Sequence, residues 1–408
     1  MVPDIQTRSP VAVRLSATWG TWGTSGGIYT PFVGAWLAYT GMRPIEIGAL
    51  LSSGMLLRVI VPPITGIIAD ARNDRRSMIV ALMGVQLVCW TALNWFLTPL
   101  ALFVLVVTSN MAGGAAGPLV ESVSMRLAER FGFDYGRVRL WNSLAFAISN
   151  VVSGLAISRW GMGVFVPWLT VSLALTFASV CWLPPSPPGQ SKSQLRIRLV
   201  ATVAEARELA GSRIFLLFLL AASFDQASHA FYYSYGGLHW RALGYSGAVI
   251  GMIWPLGVIA EAALFSVSLR VFRTVGATRL LLLGGLGCIL RWTILAFDPP
   301  FAFVVFAQFL HGATFALAHL GAMYFVLKAV PQRLAATAQS LYAVGSNGII
   351  MGLATAACGP LYEVYGGRTY LLMSAMGLVA AGFAFWLGRA WHGGRITQGG
   401  GEEIGDAI

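Results

Sequence analysis

Stretches of roughly twenty predominantly apolar residues, enough to cross a hydrocarbon core at about 1.5 Å per residue, recur along the whole chain. They predict helical spans at 12–39, 45–69, 77–98, 101–127, 138–158 and 162–184, and again at 213–236, 247–271, 279–297, 301–328, 334–360 and 369–390. Between the two sets the pattern lapses. Pro184-Pro185-Ser186-Pro187-Pro188-Gly189 and a basic, amphipathic run ending near Arg213 are too polar to span and rich in turn residues. The expected organisation is an all-α integral membrane protein of twelve transmembrane helices in two pseudo-symmetric six-helix bundles. Residues 1–184 form the first bundle, 185–212 a cytoplasmic linker, 213–390 the second bundle and 391–408 a cytoplasmic tail.

Composition removes the main competitor. With 57% hydrophobic and 11% charged residues among 408, the chain lacks the polar surface that a soluble domain needs. The net charge of +11 is organised by topology. With both termini inside, 21 Lys and Arg fall in cytoplasmic segments and four (Arg43, Arg159, Arg241, Arg368) in outer loops, as the positive-inside rule requires. No nucleic-acid recognition motif accompanies the basic excess. Arg8 and Arg14 precede the first apolar stretch without a small-residue cleavage signal, so that stretch reads as a retained span. Cys89, Cys181, Cys288 and Cys358 lie in apolar runs without paired spacing, which argues for buried thiols over a disulfide framework or a zinc site.

The chemistry sits in the few ionisable residues at bilayer depth, each costing at least about 2.5–3.5 kcal/mol unless it has a partner, water or a task. They are Arg58, Glu121, Asp225, His229, Glu261, Arg291, His311 and His319, with Arg139 at the start of the fifth span. Helical rise puts Glu261 about 21 Å from the outer end of its span, Arg291 about 18 Å from an inner end and His311 about 15 Å from an outer end. These three share one layer near mid-depth, and Asp225 and Arg58 reach similar levels. Glu121 and Arg139 approach each other from the inner side. A buried carboxyl beside a movable arginine suits proton coupling, since burial favours its neutral form and the arginine its charged form. Two readings stay open for Arg58 and Arg291: a site for an anionic solute, or internal ion pairs with Glu121, Asp225 or Glu261. Trp19, Trp22, Tyr29, Trp141, Tyr232 and Tyr233 are candidates to stack a ring, against the ordinary packing role of membrane aromatics. His229 and His319 read as satisfied interior histidines. No His-Glu-x-x-His, Gly-x-Ser-x-Gly, P-loop or cysteine pair is present, so no enzyme, cofactor or metal is expected.

Gly66-Ile67-Ile68-Ala69-Asp70-Ala71-Arg72-Asn73-Asp74-Arg75-Arg76, after the second span, resembles the major facilitator superfamily signature between its second and third helices. Arg270, Arg273 and Gly276 are a weaker echo in the second half. The resemblance implies the major facilitator fold and assigns conformational gating to Gly66, Asp70, Arg72, Arg75 and Arg76. Phe133-Asp134-Tyr135-Gly136-Arg137-Val138-Arg139, following Glu121, resembles the lactose/proton symporters. That likeness implies substrate binding by Glu121 and Arg139, a link between substrate and proton at Glu261, and a proton site containing Arg291 and His311. Two departures stand out: Thr314 occupies the place of that family's proton-bearing Glu, and Asn347 that of the lysine partner of Asp225. The expected proton carrier is therefore Glu261, with Asp225 second.

Ordered matches in Asp134 to Trp141, His229-Ala230-Phe231-Tyr232-Tyr233, Gly244-Tyr245-Ser246 and Leu310-His311-Gly312-Ala313-Thr314-Phe315, with His319, resemble the bacterial 3-phenylpropionic acid transporter family more closely. Arg58 fits that family also, and a mid-membrane guanidinium is a bidentate receptor for a carboxylate. The expectation is a proton-coupled importer of an aromatic or other carboxylic acid in the bacterial cytoplasmic (inner) membrane, with both termini cytoplasmic. Arg58, Glu121, Arg139, Trp22, Tyr29, Tyr232 and Tyr233 would bind substrate; Glu261, Arg291, His311 and Asp225 would couple the proton. A neutral sugar or nucleoside symporter is favoured by Glu121 and disfavoured by Arg58; an efflux antiporter is disfavoured by a fifth span without a Gly-Pro-rich motif. Expected partners are a small-molecule substrate, a proton and the lipid bilayer, without nucleic acid, the chain acting as a monomer.

Overall fold

The structure, a computed structural model, describes residues 10–71, 74–184, 203–267, 274–396 and 402–403. Among the described residues, twelve helical passes follow one another. The first six are Pro10–Tyr39; Pro44–Leu57 continued by Val61–Ala71; Arg75–Ala92; Pro99–Phe131; Tyr135–Trp160; and Phe165–Cys181. The second six are Arg213–Ala227 continued by Ala230–Ala242; Gly247–Ser266; Ala277–Leu295; Phe301 to Ala329; Ala335 to Tyr365; and Tyr370–Ala390. Among the described residues, nine helical stretches are long and apolar enough to cross a membrane, and the last of these, Gln332–Ala390, holds two passes. The first and third passes fall outside the nine. In the first, hydroxyls replace apolar groups on a face turned inward, where Ser25 meets Ser172 at 2.8 Å and Thr21 meets Ser179 at 3.1 Å; the third opens on Arg75 and Arg76.

Caps mark where the helices begin. The side chains of Asp74, Thr98, Asp134 and Ser212 each accept a backbone N–H of the first turn, and Pro44 and Pro99 open their helices with the donor that would be unpaired anyway removed. Four passes are interrupted inside the span. The second breaks at Arg58 to Ile60, because Pro62 and Pro63 have no N–H to return to the carbonyls of Arg58 and Val59. In the seventh, the Ser228 hydroxyl donates to the Asp225 carbonyl at 2.7 Å and a ring nitrogen of His229 reaches the Gln226 carbonyl at 3.1 Å, competing with the backbone ladder at the turn. The tenth and eleventh widen to π-helix at Gly312–Leu317 and Val344–Ile350.

The chain packs as two compact units, Met1–Leu195 with Tyr233–Pro255, and Arg196–Tyr232 with Leu256–Ile408. In the first unit the first and fifth spans approach so closely that a Cβ at Gly23 would overlap the Asn142 carbonyl, and one at Gly27 the Ser149 hydroxyl. Trp36, Trp90 and Phe165 cluster in its core with centroids 5.4–5.9 Å apart. The second unit is centred on Phe218, stacked on Phe325 at 4.3 Å. Large apolar side chains such as Val88, Trp95, Ile148, Leu353 and Trp386 stay exposed, as lipid-facing positions do.

Candidate functional site

One polar constellation and a cavity lie in the first unit, and a second constellation lies in the second. Glu121, on the fourth span, accepts the phenol of Tyr135 on one carboxylate oxygen, while its other oxygen is 3.8 Å from Nε of Arg139. The Arg139 guanidinium lies 4.4 Å over the ring of Trp19, whose indole donates to Ser124 at 3.1 Å. Both charged side chains keep about two-fifths of their surface accessible, 39% for Arg139 and 42% for Glu121, so the pair can separate without first being unearthed. Tyr135 stands in the sequence motif, and the fold shows its phenol reaching back fourteen residues to Glu121.

The cavity, of about 310 Å³, is lined by the first, second, third, fourth and sixth spans. Arg58 reaches it from the break in the second span and is exposed there. Among the described residues of its own unit it makes no hydrogen bond or ion pair, and Glu121 faces Arg139 instead of it. Tyr29 donates to the Asn110 amide oxygen at 3.0 Å and stands edge-on to Trp90 at 5.9 Å. Trp22 and Gln86 complete the lining that matters here. Gln86 and Asn110 were missed in the sequence because uncharged amides carry little insertion cost and raise no signal in a hydropathy trace. Trp141 lies elsewhere, beside Arg137 in a separate groove.

In the second unit Arg291 is fully buried. It donates to His311 Nδ1 at 2.9 Å, to Thr314 at 3.1 Å and to the Gln308 amide oxygen at 3.4 Å. The rings of Tyr232 and Trp292 lie 4.9 and 4.4 Å from its guanidinium carbon. A guanidinium only donates, so Nδ1 of His311 is an acceptor and the neutral ring carries its hydrogen on Nε2, which faces Glu261 at 3.8 Å. The same logic orients His229: Nδ1–H points to the Gln226 carbonyl, and Nε2 accepts from Thr314 at 3.1 Å. Thr314 thus links Arg291 to His229. Glu261, Arg291 and His311 therefore come together.

Asp225 does not join them. Its Oδ1 faces the Cys288 thiol at 3.5 Å, and its Oδ2 has no hydrogen-bond partner among the described residues. Tyr232 and Tyr233 are adjacent in sequence but belong to different units. His319 stacks on Phe315 at 5.9 Å. Of the signature loop, Gly66 and Asp70 fall in Val61–Ala71, and Arg72 lies outside the described residues, as do Arg270, Arg273 and most of the linker. Arg75 donates to Ser122, and Arg76 to the Cys181 carbonyl at the end of the sixth span.

Twelve helical passes with this constellation of mid-span charges define a secondary transporter of the major facilitator type. The chain belongs to the MFS_1 like family, whose model matches residues 21–373. It is 28% identical over 358 residues to the probable 3-phenylpropionic acid transporter of Escherichia coli (strain K12), covering 87% of this chain and 92% of that one. It is also 28% identical over 340 residues to the maltose permease of Geobacillus stearothermophilus, covering 82% and 83%. Its fold matches the crystal structure of the nucleoside transporter NupG with a TM-score of 0.75 at 17% identity, over 93% of this chain and all of that one. It is a transporter and not an enzyme, and it handles a small molecule at a membrane.

Proposed function

We propose that this protein imports a small carboxylic acid, aromatic in preference, together with a proton, by alternating access in a bacterial cytoplasmic membrane with both termini inside. The observation that carries the reading is Arg58, a mid-span guanidinium facing an aromatic-lined cavity without a carboxylate of the described residues beside it. An unpaired charge at that depth is costly, and an incoming carboxylate is the ligand that offsets it with two parallel hydrogen bonds. The similarity to a probable 3-phenylpropionic acid transporter supports the same substrate class. Glu261, set against a neutral His311 that offers Nε2–H, is the group we assign to the coupled proton, with Asp225 as its alternate.

A neutral sugar or nucleoside as substrate is supported by the Glu121–Arg139 pair and by the maltose and nucleoside relatives. Counterflow in proteoliposomes with labelled 3-phenylpropionate, lactose and uridine, with and without an imposed pH gradient, separates the readings. Saturable exchange of sugar or nucleoside with no exchange of acid would sink the acid assignment. Uptake of the acid that ignores the pH gradient would remove the proton.

A further inference from the structure

Building on the reading of the solute as an aryl carboxylate, we infer that the cavity of the first unit is the seat of the carboxylate, and that Gln86 and the Gly113–Gly114 pair select a single-ring acid there together with Arg58. The two arginines of this unit near the candidate site are differently committed. Arg139 is already engaged by Glu121 and by the face of Trp19, whereas Arg58 has neither hydrogen bond nor ion pair among the described residues. The positive charge still to be matched is therefore at Arg58.

The fourth span is shaped to it. A Cβ on Gly114 would stand 2.9 Å from Nε of Arg58 and 3.0 Å from its Cγ, and a Cβ on Gly113 would stand 2.7 Å from the Gln86 amide nitrogen. These distances are shorter than carbon and nitrogen tolerate, so two consecutive glycines form a floor on which the guanidinium and the carboxamide rest side by side. The Gln86 amide makes no hydrogen bond among the described residues, and Asn110 commits its oxygen to Tyr29, which leaves Nδ2 as its free end. The cavity thus offers the Arg58 fork and two amide N–H groups, a donor set that suits the lone pairs of one carboxylate. One turn further along the fourth span, Gly117 opens onto Trp22, whose ring is 3.9 Å from where a Cβ would be, and supplies a stacking wall. A volume of about 310 Å³ lies at the small end of ligand pockets and admits one ring with a short side chain.

The test is binding of 3-phenylpropionate to the purified full-length protein in lipid nanodiscs, measured by calorimetry and by tryptophan fluorescence. Gly114→Ala and Arg58→Lys are expected to weaken binding about tenfold or more, the equivalent of losing one hydrogen bond to a charged group, and Gln86→Leu severalfold. Gly20→Ala is the control, because a Cβ there meets nothing within 4 Å. A two-ring acid such as 3-(2-naphthyl)propionate is expected to bind about tenfold more weakly than the one-ring acid. Thermal unfolding verifies that each variant is folded, and Gln86→Leu decides if Gly114→Ala is not. Native-like affinity in Gln86→Leu and Gly114→Ala would overturn this site while leaving acid transport standing. A native protein that binds no aryl acid but exchanges a sugar or nucleoside would overturn the substrate reading on which the site rests.

Discussion

At the residue scale, the consequential side chains are those whose hydrogen-bond directions are forced. Glu261→Gln keeps the shape and removes the titration, so uphill accumulation driven by a pH gradient should vanish while counterflow persists. Retained accumulation in proteoliposomes would transfer the proton to Asp225 or Glu121. Tyr135→Phe deletes the phenol that Glu121 accepts and leaves a carboxylate oxygen to water. The expected cost is about 1.5–3 kcal/mol in the interaction of Glu121 with its surroundings, seen as a raised KM with little change in maximal rate; an unchanged KM would make Tyr135 a packing residue. Charged residues at depth were readable from the sequence because each violates hydropathy. Tyr135, Gln86 and Asn110 were not, since nothing in a one-dimensional pattern marks a neutral polar group inside a membrane helix.

At the element scale, interruptions decide where the chemistry is presented. The effect of the Pro62-Pro63 pair on Arg58 needed the fold, which places Arg58 as the residue capping the end of Pro44–Leu57. Replacing both prolines by alanine restores two backbone donors and should straighten the second span, carrying Arg58 out of the cavity. Binding of an aryl acid is then expected to fall while thermal stability rises, a combination that a mere packing defect would not give. The π-helical segments at Gly312–Leu317 and Val344–Ile350 had no legible signal, because an extra residue per turn does not alter apolar periodicity over so short a stretch. Asp74 caps the third pass. Its carboxylate accepts the Ser77 N–H at 2.9 Å, and Asp74→Ala should lower stability by about 1 kcal/mol in denaturant titrations.

At the scale of the whole molecule, the count of the passes was legible because span length obeys a one-dimensional rule, whereas the membership of Tyr233–Pro255 in the first unit was not. Outside the membrane, Glu208 and Arg333 pair through two contacts, one of 3.0 Å. Arg333 holds the Glu208 carboxyl below its usual range, and Glu208 raises the guanidinium in turn. A depressed carboxyl contributes stability above its unfolded value, and that contribution is lost as pH falls through the folded one. Unfolding temperature should therefore drop modestly on acidification below about pH 4.3, and the drop should shrink in Glu208→Gln. The pair is exposed, so the effect should also fade in high salt.

While Arg291 contacts Nδ1 of His311, both nitrogens of that imidazole are spoken for, one as acceptor and one already bearing hydrogen. If Glu261 takes up the coupled proton, as proposed, that proton finds no vacant lone pair on His311 until Arg291 releases Nδ1.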